Sequence, residues 1–179
     1  MKEPFIVQEE DLEDIAKKVL DTLSDSASLS AKVIFLEGDL GAGKTTFTKA
    51  LAQSMGITKE DVHSPTFILK KEYKSDHHFF KKLIHIDAYR FDDPREAAVL
   101  KMESDYSNPT SLIVIEWPSK LGGVIDEDIS LSFSVINDDT REVTINYSGD
   151  SARRSHAAPQ ETGSPASSVR GSITNSFLV

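Results

Sequence analysis

Residues 38–45 read Gly-Asp-Leu-Gly-Ala-Gly-Lys-Thr, and no other stretch of the chain restricts its fold so tightly. An apolar run, Val33 to Leu36, stands immediately before it, and Phe47, Ala50 and Leu51 follow at helical spacing. Glycines let successive backbone N–H groups turn into one concave nest. A helix that starts at the end of that nest adds its partial positive charge. Strand, G-x-x-x-x-G-K-[ST] loop and helix together form a phosphate cradle. With glycine near 7% of residues, a chance match in a chain of this size is expected on the order of 1% of the time. Gly38, Asp39, Leu40, Gly41, Ala42, Gly43, Lys44, Thr45 and Thr46 are therefore candidate nucleotide-binding residues. Lys44 is placed to reach the β and γ phosphates, and the Thr45 hydroxyl to ligate Mg²⁺.

The surrounding pattern sets the architecture. Phe5 to Val7 reads as a short strand, followed by a helix with Leu12, Ile15, Ala16, Val19, Leu20 and Leu23 on one face. The P-loop helix runs from about Lys44 to Met55, with Gly56 as its stop. Strands are expected at Phe67 to Tyr73, Leu83 to Asp87 and Leu112 to Glu116, with helical spacing at Ala97, Ala98, Leu100 and Lys101. Leu131, Phe133 and Val135, then Val143, Ile145 and Tyr147, alternate about a turn at 137–140, which predicts an antiparallel hairpin. Short apolar strands separated by helices imply a three-layer α/β sandwich of the P-loop NTPase type. Its central sheet is mostly parallel, with antiparallel additions at the edges. This domain spans residues 1–147. Residues 148–179 are rich in Ser, Ala, Gly and Pro and read as a disordered tail.

Composition narrows the function classes. The net charge is −9, whereas a protein that grips nucleic acid through phosphates is usually basic. A strip of Lys70, Lys71, Lys74, Lys81 and Lys82 is the one local exception, and a solvated face is the favoured reading for it. Any RNA involved is therefore expected to be held mostly by a partner. There are no cysteines, which excludes thiol chemistry and suits the cytoplasm. No apolar run approaches the roughly 20 residues of a membrane span, and the N-terminus lacks a signal-peptide pattern.

Two apolar runs end in acids, Asp87 and Glu116, at the strand ends where α/β sheets bind ligands. Two equivalent acids leave their roles open. The favoured assignment puts Glu116 in the Mg²⁺ shell and gives Asp87 the attacking water; the alternative pairs one of them with Arg90 or a lysine. Thr66, in a Pro-containing loop, reads as a switch threonine against a plain turn residue. Trp117 is the sole tryptophan and flanks the nucleotide, over the base or the phosphates, or packs on the sheet edge. His63 reads as a surface residue, His77 and His78 as loop residues, and Arg90 as a structural ion-pair partner.

Gly38 to Thr46, His63-Ser64-Pro65-Thr66-Phe67, His85-Ile86-Asp87-Ala88-Tyr89-Arg90 and Glu116-Trp117-Pro118 stand in the order and spacing of the TsaE (YjeE) family, which the chain resembles over about residues 4 to 147. The resemblance implies a bacterial ATPase of tRNA threonylcarbamoyladenosine biosynthesis. Such a protein works with a threonylcarbamoyl-transferase subunit and that subunit's paralogous partner, and its ATP turnover sustains repeated cycles. It also implies that Asp87 serves hydrolysis and that Thr45 and Glu116 are associated with Mg²⁺. The N-terminal helix departs from the family's Thr-x-x-Leu-Gly-like stretch, having Leu12, Ile15 and Ala16 there. Three other readings compete. A small-molecule kinase usually has a lid with several arginines, and a GTPase has an Asn-Lys-x-Asp-type motif, which is not present. A nucleotide-binding scaffold with negligible turnover is the third.

Overall fold

The computed structural model describes residues 2–148 except 27 and 67, so the expected disorder of the tail beyond Ser148 lies outside the described residues. The strands are β1 (Lys2–Val7), β2 (Lys32–Gly38), β3 (Lys70–Lys74), β4 (Lys82–Asp87), β5 (Ser111–Glu116), β6 (Ile129–Val135) and β7 (Arg141–Tyr147). They form one sheet in the order β1-β7-β6-β2-β5-β4-β3. β6, β2, β5 and β4 are mutually parallel, while β7 and β1 on one side and β3 on the other are antiparallel additions.

Alternation sends successive side chains of the central strands to opposite faces. Ile34, Leu36, Leu112, Val114 and Leu83 join one core with α1 (Leu12–Ser24) and α2 (Lys44–Ser54). Val33, Ile113, Ile115, Ile84 and Ile86 join a second core with Phe91, Leu100 and Leu121. β5 is buried along its whole length, as expected of a strand covered on both faces. α1 buries the six apolar residues that its spacing marked. Ahead of it, a 3-10 turn at Glu9–Asp11 is closed by the Gln8 N–H donating to Asp11 Oδ2 at 2.8 Å.

Three expectations change. The strand predicted from Phe67 begins only at Lys70. Pro65 O accepts from both Ile68 N and Leu69 N, and Leu69 adopts φ 69, so a tight turn occupies the apolar stretch. The helical spacing at 97–101 is a 3-10 helix, Pro94–Leu100, started by Asp93 accepting from Arg95 N and stopped by Lys101 at φ 47. The short α3 (Glu103–Tyr106) follows, so this second face is covered by short turns rather than long helices. The lysine strip is neutralised in part: two of its five lysines, Lys70 and Lys82, both pair with Asp105 and Glu72. Among the described residues no helix is long and apolar enough to cross a membrane.

The loop that follows β2 is wedged against β6. Gly38 has φ +140, and a Cβ there would stand 2.5 Å from the carbonyl oxygen of Phe133. Phe133 also sets its ring 6.0 Å from that of Phe47 in α2, so one side chain supports the loop and the helix that leaves it. Gly38→Ala is expected to cost about 3 kcal/mol through backbone strain and overlap. That lowers the melting temperature by about 10 °C in a chain of this size, as calorimetry can check.

Candidate nucleotide site

The parallel register brings the candidate residues to one edge of the sheet. Leu36, two residues before the first glycine of the loop, pairs with Glu116, and Glu116 pairs with Asp87 on its other side. Both acids thus stand at the strand ends beside the loop. A cleft of about 320 Å³ opens there, lined by Gly41, Gly43, Lys44, Thr45 and Thr46 on one side. Ser64, Thr66, Asp87, Glu116 and Trp117 line the other.

Gly43 precedes α2 with φ 109, a left-handed conformation that lets the first turn of the helix face the cleft. Ala42 is buried and Leu40 is 78% exposed at the edge of the cleft, and both side chains are apolar, so at these two positions only the backbone can serve the nest. Asp39 is also exposed and contributes a backbone carbonyl. The Lys44 ammonium donates to Gly38 O at 2.7 Å and Asp39 O at 2.8 Å, which fixes it beside the loop. The Trp117 ring covers it, with Nζ 4.1 Å from the ring centroid. Burial pushes the Lys44 pKa below its ordinary value, opposed by the charges of Glu116, Asp87, Asp39 and Glu37.

Trp117 reaches this place through a strained backbone, φ 59 and ψ 47, where a non-glycine residue costs roughly 1–2 kcal/mol. Its N–H donates to Leu36 O at 3.2 Å, and its ring lies 5.2 Å from that of Tyr89. Of the alternatives for Trp117, the structure places the ring at the lysine end of the loop.

The acids have different surroundings. Glu116 is buried, and its Oε1 accepts from the Thr45 hydroxyl at 2.8 Å. His85 Nε2 lies 2.8 Å from the same oxygen. A hydroxyl and a carboxylate this close, at the mouth of an anion nest, are the hard oxygen donors Mg²⁺ prefers. Asp87 is fixed by the loop that carries Thr66. Its Oδ2 accepts from Ser64 Oγ and Thr66 Oγ1, each at 2.7 Å, and its Oδ1 from Tyr89 N at 3.0 Å. Neither acid has a salt bridge to Arg90 or a lysine among the described residues, so their pairing is with hydroxyls, an imidazole and a backbone N–H.

His63 is exposed. His77 closes its own loop, its Nδ1 accepting from Phe79 N and Phe80 N at 3.3 and 3.1 Å. Three features escape a reading of the chain. Ser64 could have been found beside Thr66, since both hydroxyls converge on one carboxylate. His85 sits in an apolar strand, where a polar residue is itself a signal. The third is a second hollow of about 350 Å³ on the other side of the loop, lined by Gln8, Leu12, Gly41, Gly43, Asp138 and Arg141 among others. It exists because β6 runs parallel to β2, which brings the turn after β6 to the loop end of the sheet.

Comparison with known proteins converges on one family. Residues 6–144 match the sequence profile of the family described as "Threonylcarbamoyl adenosine biosynthesis protein TsaE". Proteins called "tRNA threonylcarbamoyladenosine biosynthesis protein TsaE" are similar throughout the domain. The one from Bacillus subtilis is 35% identical over 133 residues, 74% of this chain and 80% of its own length. The one from Aquifex aeolicus is 36% identical over 150 residues, 81% of this chain and 96% of its own. The crystal structure of Bacillus subtilis YdiB superposes with a TM-score of 0.61 at 29% identity, covering 84% of this chain and 88% of that one.

Proposed function

The chain belongs to the TsaE family, and from that premise we propose that it is a Mg²⁺-dependent ATPase serving threonylcarbamoyladenosine modification of tRNA. The observation that carries the reading is the convergence of Lys44, Thr45, Glu116 and Asp87 on one cleft at the glycine loop. The loop N–H groups and Lys44 hold the phosphates. Thr45 and Glu116 hold Mg²⁺, which when bound neutralises charge on the phosphates. Asp87 positions the attacking water, and Thr66, bonded to Asp87, links the state of the phosphate end to the 63–69 loop. Trp117 covers the phosphate end with its ring.

The nucleoside half lies on the other side of the loop, in the hollow bounded by Gln8, Leu12, Asp138 and Arg141. The acidic residues Glu9, Glu10 and Asp139 in that hollow disfavour a triphosphate there, which sets the orientation. A kinase is the weaker reading, because Lys44 is the single cation among the described residues lining the phosphate cleft.

The ATPase acts with the threonylcarbamoyl-transferase subunit and its paralogous partner in the cytoplasm. It meets tRNA only through that complex. The net charge of −9 and the ion-paired lysines of β3 and β4 support this division of labour. ATP and GTP hydrolysis should be measured with Mg²⁺, alone and with both subunits. The expected result is slow turnover alone and at least about tenfold stimulation in the mixture, ATP preferred. Stable nucleotide binding without stimulation would favour a scaffold instead.

A further inference from the structure

We infer that His85 is a positioning residue that orients Glu116 toward the metal. The inference rests on the reading of Glu116 as a Mg²⁺ ligand. His85 lies in β4, fully buried, between Ile84 and Ile86, and pairs across the sheet with the apolar Val114. Its Nε2 stands 2.8 Å from Glu116 Oε1, and its Nδ1 is buried without a hydrogen-bond partner. A buried polar atom left unsatisfied costs roughly 1–3 kcal/mol. An apolar side chain of similar size would fill this position in an apolar strand at no such cost. The single bond to Glu116 is what the imidazole supplies there and a leucine could not.

The geometry defines which proton makes that bond. The Thr45 hydroxyl already donates to Oε1, so the carboxylate oxygen accepts from His85 as well, and the imidazole hydrogen sits on Nε2. Two donors, one from α2 and one from β4, hold the same oxygen. The other oxygen, Oε2, accepts no hydrogen bond from a described residue, and Glu116 lines the cleft. The carboxylate is thereby held in one rotamer with one oxygen fixed and one available. Groups that orient a ligand in this way, removed, typically weaken metal binding about 10- to 100-fold.

The test uses the full chain with a fluorescent, non-hydrolysable ATP analogue, titrated first in EDTA and then with Mg²⁺ at fixed nucleotide. His85→Leu is expected to leave metal-free nucleotide affinity within about twofold while the half-saturating Mg²⁺ rises at least about tenfold. His85→Gln, whose amide N–H reaches the place of Nε2, keeps the Mg²⁺ dependence within about threefold. His85→Asn, whose amide reaches only the place of Nδ1, behaves like the leucine variant. The Gln and Asn variants carry the same amide, so their comparison stands even where the leucine variant does not fold. Equal Mg²⁺ dependence in Gln and Asn would overturn the inference. Glu116→Ala is the control: a Mg²⁺ shift there with none in His85→Asn sinks only the role of His85. No shift in Glu116→Ala sinks the metal-ligand reading and this inference with it.

Discussion

Lys44→Ala lowers the affinity for ATP at least about 100-fold, as titration calorimetry should show, because it removes the cation from a buried anion nest. Cutting one partner from a buried charge pair costs about 3–5 kcal/mol, which corresponds to a factor of roughly 150 to 4,000 in affinity. The fold itself should survive. Alanine is a strong helix former at the start of α2. Burial also disfavours the charged lysine in the free protein, so its removal relieves a desolvation penalty. The same shift predicts a proton linkage. The pKa of Lys44 is lowered in the free protein, and a bound phosphate favours the charged form and raises it again. As the pH rises toward that lowered pKa, ATP binding takes up protons, measurable by calorimetry in buffers of different ionisation enthalpy. The alanine variant lacks this uptake. Unchanged ATP affinity in Lys44→Ala would remove the glycine loop from the phosphate site.

Much of this was legible in the chain because the physics is local. The glycine loop carries its own backbone requirement, and β2 and β5 at the middle of the sheet contain uninterrupted apolar runs. Asp87 and Glu116 could be placed because a parallel sheet collects the ends of its strands at one edge. What stayed hidden depends on contacts distant in sequence. Nothing near Asp138 or Arg141 announces that their turn faces Gly41, since this follows from β6 joining β2 in parallel. The 67–69 stretch misled because its apolar residues suit a strand, while the Pro65 carbonyl captures the N–H groups of Ile68 and Leu69 into a turn. The segment at 94–100 misled more mildly, because helical spacing does not separate an α-helix from a 3-10 helix. His85 was visible as part of a motif and as a polar residue in an apolar strand, but its role was not. Its partner, Glu116, lies on the neighbouring strand, and the sheet register is needed to connect them.

Asp87→Asn separates binding from chemistry. Asparagine keeps the size and shape of the carboxylate. The Ser64 and Thr66 hydroxyls can rotate to accept from its amide, where they now donate to Oδ2, so the local network can close again. One negative charge near the phosphates is lost, so ATP affinity is expected to stay within about threefold or to tighten. Hydrolysis is a different matter, because an amide cannot take a proton from water or hold it as a carboxylate does. Loss of such a group typically costs about 10² to 10⁴ in rate. Single-turnover hydrolysis, measured with the enzyme in excess over ATP and in the presence of the transferase subunits, reads the chemical step without interference from product release. A fall in affinity with an unchanged rate per bound ATP would reassign Asp87 to ground-state binding. Glu116→Gln provides the contrast, since its effect should appear in the Mg²⁺ dependence. If the two variants instead showed the same Mg²⁺ shift, the acids would share the metal, and the division drawn from their different hydrogen-bond partners would fail.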